Sequence, residues 1–391
     1  MSATPLPDFS IRIERFNPDA AGTQPPAVVA IPVKDEAERI ADCLASLAEQ
    51  TVDPAEMAVI LLLNNCRDGT EARVRALAPL LPYRLDVHSV DLPEPCANAG
   101  WARRLAMDAA ARLVHPEGLI LTTDADTLVD QDWVEANRRE IAGGVDAVAG
   151  YVMANPVELM ELDPAILDRG ALEWEYQQLA AELEARADPE PHDPWPRHNQ
   201  NCGASAALTA SAYRRIGGLP PRRVGEDRAL FEMLRRADLK IRHSLDVHVV
   251  TSARTDGRAL GGLSDAIRLR GDPDTPCDEA LEVAAATLRR ACWRARLRHD
   301  WKAGRLDSSW EAWASRTRLT LTEFRRAIEK KPFGEIWAEL EIKSPRLERR
   351  LVTGRQLKRE LRRMRRLVEA ARAQARAEEA WVADGKKVAA A

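Results

Sequence analysis

Leu119-Ile-Leu-Thr-Thr-Asp-Ala-Asp126 is an apolar run of strand type that stops abruptly at two carboxylates spaced i, i+2. On a β-strand such positions point to the same side. Two acids at the C-terminal end of a sheet strand can hold one hard divalent cation. In an open α/β sheet, that end is where ligands bind. Two other triplets, Asp130-Gln-Asp132 and Asp272-Pro-Asp274, follow no strand-like run. The context of the triplet therefore carries the signal.

Upstream of this stretch, strands and helices alternate. Residues 27–33 read as a buried strand, and 35–49 place Ile40, Cys43, Leu44 and Leu47 at helical spacing. Residues 57–63 form a second strand that runs into Asn64-Asn-Cys-Arg-Asp-Gly-Thr70, where Gly69 fits a turn and Thr70 fits a helix cap. A third strand is expected at 84–90, an Ala- and Arg-rich helix at 97–114, and a fifth strand at 145–153 after the one at 119–123. The alternation predicts an α/β fold, a mostly parallel sheet with helices on both faces. Downstream, a long helix at 163–187 carries Asp163 as its cap and Pro164 at its first position. Four prolines exclude regular structure from 188–197. An amphipathic helix at 225–236 begins with two acids, and 246–251 returns as a strand. Beyond about residue 256 the pattern is helical. The boundaries expected are a Pro-rich lead-in at 1–26, an α/β domain at 27–255 and a helical C-terminal region at 256–391.

Composition narrows the function classes. The chain has 391 residues, enough for a large domain plus a smaller one. No apolar run has membrane-spanning length, and residues 1–7 do not read as a signal peptide. Six cysteines are scattered without a C-x-x-C pair, which favours a reducing compartment over a disulfide framework or structural zinc. The expected location is the cytoplasm. Net charge is −4, but 343–376 holds 13 Lys and Arg against 3 Glu, so this segment is strongly basic and the rest acidic. Such a tail could touch an anionic membrane face peripherally. It lacks interleaved aromatics, so nucleic acid is not an expected partner. Leu357, Leu361, Met364 and Val368 form a seam that could pair with a second copy as a homodimer.

Four segments, in order, resemble family 2 glycosyltransferases of the GT-A fold: Ile31-Pro-Val-Lys-Asp-Glu36, Leu63-Asn-Asn-Cys-Arg-Asp-Gly-Thr70, Asp124-Ala-Asp126, and Tyr213-Arg-Arg-Ile-Gly-Gly-Leu219 with Gly225-Glu-Asp-Arg-Ala-Leu230. The likeness covers roughly residues 27–252. It implies transfer of a sugar from a nucleotide-diphosphate donor, a UDP-sugar being expected, to a small-molecule or lipid-linked acceptor. There is no Gln-x-x-Arg-Trp motif, so a single addition is expected rather than polymerisation. Adjacent aspartates are common in the second-strand loop of the family, and here they are Asn64 and Asn65.

The resemblance also implies roles. Asp126, with Asp124, would hold Mn²⁺ or Mg²⁺, and His248 could add an imidazole. Asp124 would otherwise reach the ribose. Asp227 would be the general base, with Glu226 beside it. Glu36, Asn64, Asn65 and Asp68 would form the nucleoside pocket, and Arg103 would reach the nucleotide or its diphosphate. A competing reading is a non-catalytic scaffold of the same fold, binding an acidic partner or membrane surface through its basic C-terminal helices.

Overall fold

The computed structural model describes residues 9–17, 24–258, 261–278, 280–329 and 331–389, with side chains described up to residue 377. Two compact units emerge, Met1–Leu162 with Gln200–Arg268, and Asp163–Asn199 with Leu269–Ala391.

The first unit is built on a nine-stranded sheet. Its strands are β1 (Arg12–Phe16), β2 (Ala27–Val33), β3 (Met57–Asn64), β4 (Arg84–Val90), β5 (Leu119–Thr122), β6 (Thr127–Val129), β7 (Ala147–Ala154), β8 (Ala206–Thr209) and β9 (Ile241–Thr251). Their spatial order is β1-β4-β3-β2-β5-β8-β7-β9-β6. The central block β4-β3-β2-β5 is parallel, whereas β1, β8 and β6 each run antiparallel to their neighbours. Every residue of β3 is buried, as expected of a strand covered on both faces. Two apolar clusters supply that cover. One packs the helix Ala99–Leu113 on the sheet through Trp101, Ala102, Ala106 and Ala110. The other packs the helices Ile40–Ala48 and Trp133–Ala142 on the opposite face.

Several local expectations change. The loose lead-in fails at Arg12–Phe16, which adds an edge strand to β4. Its outward side chains hold it there, Glu14 accepting from Arg75 at 2.6 Å. Residues 1–8 and 18–23 of that lead-in lie outside the described residues. Strands β6 and β8 have three and four residues, too short to leave a periodic signal. Thr70 does not cap its helix. It is the first helical residue after Gly69, and its hydroxyl accepts from the Glu36 amide at 2.8 Å.

The second unit is helical, and its content departs from the expected boundary near 256. The helix Pro164–Ala187, capped by Asp163 as expected, belongs to it. Tyr176, Ala180 and Leu183 of that helix pack with Leu281, Leu357, Leu361, Met364 and Val368. The seam read as a dimerisation surface is thus consumed within the unit. A second cluster joins the helices Ala284–Lys302, Leu306–Thr317, Leu321–Ile328 and Phe333–Lys343 around Trp313, Phe324 and Ile336. Among the described residues no helix is long and apolar enough to cross a membrane.

Candidate active site

Parallel register brings the sequence-predicted residues to one edge. Val33 pairs with Leu63 and Ala30 with Thr122, so β2 and β3 end together and β5 ends three residues earlier on the same side of the sheet. Residues 34–36, 64–68 and 123–126 all leave the sheet at that edge, which suits a ligand site.

Strand β5 ends at Thr122, so Asp124 and Asp126 lie in the turn beyond it. Same-side alternation along a strand therefore does not govern them, and each carboxylate meets a different guanidinium. Asp124 Oδ1 accepts from Arg103 Nη2 at 2.5 Å. Asp126 Oδ2 lies 3.0 Å from Arg254 Nη2. Arg254 also binds both oxygens of the buried Glu36, with Nη1 to Oε2 at 2.7 Å. Burial, Asp124 and Glu36 push the Asp126 carboxyl up to about 6, with Arg254 pulling against them. Carboxylates outweigh cations at this edge.

Arg103 is buried, and each of its guanidinium nitrogens is engaged inside the protein. Besides Asp124, it reaches Glu226 at 3.3 Å, the Thr122 hydroxyl at 2.9 Å and the Gly203 carbonyl at 3.1 Å. It braces the Asp124–Asp126 turn against the helix Glu226–Arg236. Gly203 is required by the contact. A Cβ there would sit 2.7 Å from the guanidinium carbon.

The two helix-start acids differ in consequence. Glu226 is buried against Arg103, and burial raises its pKa despite that partner. Asp227 is half-buried and accepts from backbone amides, Gly203 N at 3.1 Å and Arg228 N at 2.7 Å. Gly225, at φ 70°, supplies the left-handed turn that starts this helix.

The second-strand loop is stitched rather than open. Asn65 closes on Leu92 through both ends of its amide, at 3.0 and 3.2 Å. Asp68 accepts from the amides of Thr70 at 2.9 Å and Ala37 at 3.1 Å. Asn64 is buried, and its Nδ2 has no hydrogen-bond partner among the described residues.

His248 is not brought to this group. Its Nδ1 lies 2.9 Å from Asp130, and its ring stacks on Tyr151. Register explains why. Thr127, next to Asp126, pairs with Thr251, and His248 lies three residues back along β9, about 10 Å away at strand rise. Among the described residues no three His, Cys, Asp or Glu side chains are grouped to hold a metal alone.

Sequence reasoning missed Arg254. The available signal was an arginine just past the last sheet strand, in Thr251-Ser-Ala-Arg254. Glu158 fixes that turn, accepting from Ser252 Oγ at 2.8 Å and Ala253 N at 2.6 Å.

Residues 28–192 match the family model described as glycosyl transferase family 2. The match covers about two fifths of the chain. It spans the Asp124–Asp126 turn and the second-strand loop. No curated protein matches the chain in sequence. Similar solved structures include a mannosyltransferase from Pyrobaculum calidifontis in complex with GDP-Man and Mn²⁺. It is 20% identical, with 94% of this chain and 81% of that one covered and a TM-score of 0.44. S. aureus TarS 1–349 with UDP is 14% identical, covering 73% of this chain and 91% of that one, with a TM-score of 0.43. The same protein with UDP-GlcNAc gives 15%, 70%, 72% and 0.43.

Proposed function

We propose that the glycosyltransferase domain inverts the anomeric centre in a single addition, using Asp227 as general base and a UDP-sugar as donor. The observation that carries this reading is the unequal treatment of the two helix-start acids. Glu226 is spent on Arg103, while Asp227 is held by amides alone among the described residues and keeps a carboxylate available to a substrate. Glu226 is then a positioning residue.

In the reaction, the acceptor oxygen forms a bond to the anomeric carbon as the bond to the diphosphate oxygen breaks. The hydroxyl proton passes to Asp227, and the nucleoside diphosphate leaves. Asp126 and Asp124 suit a hard cation such as Mn²⁺ or Mg²⁺, because they are oxygen donors in a carboxylate-rich turn and burial already disfavours the charge on Asp126. Such a cation would neutralise charge growing on the diphosphate. With only these two acids offered, the donor's own phosphate oxygens would complete the set. Glu36 and Asn64 would meet the nucleoside, and the unpartnered Asn64 Nδ2 would gain an acceptor.

Thermal unfolding of wild type and Asp126→Ala with UDP, GDP and CDP, each with and without Mn²⁺, tests this reading. A ligand at 100 times its Kd adds about 2.7 kcal/mol. Metal-dependent stabilisation by UDP, lost in the variant, is the expected result. No stabilisation by any nucleotide would favour the scaffold reading instead. Peripheral attachment to an anionic membrane in the cytoplasm draws support from Arg359, Arg362 and Arg366, exposed on one face of the helix Gly354–Ala389. Failure to co-sediment with anionic vesicles at low salt would end that part of the proposal.

A further inference from the structure

The helical unit has a concavity of about 570 Å³ lined by Trp293, Ala312, Ser315, Arg316, Arg318 and Arg346. Pockets of that size take small ligands. Three of its six lining residues are arginines, and none is an acid. Among the described residues, no carboxylate pairs with the guanidinium of Arg316, Arg318 or Arg346. Arg316 lies 4.7 Å over the Trp313 ring, a contact that leaves its N–H donors unspent.

A complement to the helix dipole would account for Arg316 and Arg318, since the helix Leu306–Thr317 ends there. It does not account for the cations gathered from other elements. Arg289 stands one helical turn before Trp293, and its Nε is buried with no partner among the described residues. Burial, with Arg346, Arg350 and Arg290 nearby, pushes the Arg289 pKa down, against the pull of Glu282. Glu282 is already committed, binding Arg290 at 2.9 and 3.1 Å. Among the described residues the cations here outnumber their carboxylate partners.

We propose that this pocket is a second ligand site, one that binds a phosphate or diphosphate group between Arg316, Arg318 and Arg346 with Trp293 as its flat wall. Guanidinium forks match phosphate oxygens in pairs, and the indole offers surface to the remainder of the ligand. A soluble phosphorylated molecule and a lipid headgroup both carry such a group and present the same oxygens. The site does not rest on the transferase reading.

Calorimetric titration of the full chain with inorganic pyrophosphate in metal-free buffer tests it. Saturable binding is expected, weakened tenfold or more in Arg318→Gln/Arg346→Gln. A control, Arg73→Gln/Arg112→Gln, makes the same charge change at exposed positions of the first unit and should leave binding unchanged. Absence of saturable binding in wild type, or equal weakening in both double variants, would overturn the proposal. Sedimentation with phosphatidylcholine vesicles, with and without phosphatidic acid, separates the sources. Retention on acidic vesicles that is weakened in the pocket variant identifies a headgroup, and pyrophosphate binding with retention equal in wild type and pocket variant identifies a soluble phosphate. UDP with Mn²⁺ should stabilise the pocket variant as it does wild type, so failure here and failure of the transferase reading remain distinguishable.

Discussion

The sheet edge of the first unit and the pocket of the second have opposite charge problems. At the sheet edge Glu36, Asp124, Asp126, Glu226 and Asp227 face two arginines, Arg103 and Arg254. The cost appears at Asp126, whose carboxyl is pushed up to about 6. In the helical unit the excess is cationic, and the cost appears at Arg289, whose pKa is pushed down. A fold that only needed stability would pair such charges. Where it leaves them unmatched, a ligand of opposite sign has somewhere to bind.

The largest effect expected is on turnover. Asp227→Asn should lower kcat by about 10²–10⁴-fold, the range of a general base, with the unfolding midpoint unchanged. Release of nucleoside diphosphate is the readout. Turnover within threefold of wild type would remove Asp227 from the chemistry and erase its contrast with Glu226.

Arg103→Met should act on stability instead. It strips the cation from Glu226 and Asp124, leaving an uncompensated buried carboxylate, at a cost of about 3–5 kcal/mol. Urea unfolding measures it. A loss under 1 kcal/mol would mean that the brace is slack and that the acids of the edge are not held by it.

Much of the edge was legible before any coordinates. Strand β5 and its two acids, the strand ends carrying Glu36 and Asn64, and the helix opening on Glu226 and Asp227 were all marked by apolar runs stopping at polar residues. What could not be read was where side chains go once the strand ends. Alternation predicts a shared face for Asp124 and Asp126 only while the chain is extended, and β5 stops at Thr122. Long-range pairings were equally hidden. Nothing local links Arg254 to Glu36, and Arg103 gives no sign in sequence that its donors are used inside the protein. The place of His248 was hidden in the same way, since register sets it three residues from the end of its strand. The helical unit was less legible still. The helix Pro164–Ala187 is separated from its packing partners by much of the first unit's chain, so a boundary drawn in sequence order could not place it.

Titration sharpens the comparison. A carboxyl whose folded pKa is raised contributes stability below its unfolded value and loses it as pH rises through the folded one. For Asp126 that window runs from about pH 4 to pH 6. In metal-free buffer, wild type should therefore lose stability relative to Asp126→Asn between pH 4.5 and pH 7, by at most about 3 kcal/mol. Divalent metal should shrink the difference. Parallel pH profiles for the two proteins would show that the edge does not carry excess negative charge.

Glu182 should behave in the opposite sense. It is buried in the helical unit and accepts from Arg372 at 2.5 and 2.7 Å and from Arg186 at 2.8 Å. Hydrogen bonding to Arg372 leads the causes that hold its carboxyl below the usual range. Its contribution is present above the unfolded value, near 4.5, and is lost as pH falls through the folded one. Glu182→Gln should cost about 1.5–3 kcal/mol at pH 7, the worth of hydrogen bonds to a charged group. The gap to wild type should narrow as pH falls below 4.5, where Asp126→Asn becomes silent as well. A gap independent of pH would assign the loss to packing of the Gln side chain. Narrowing would establish that acid weakens the helical unit through the same chemistry by which it relieves the sheet edge. The sign is set by whether the fold supplied each carboxylate with its cation.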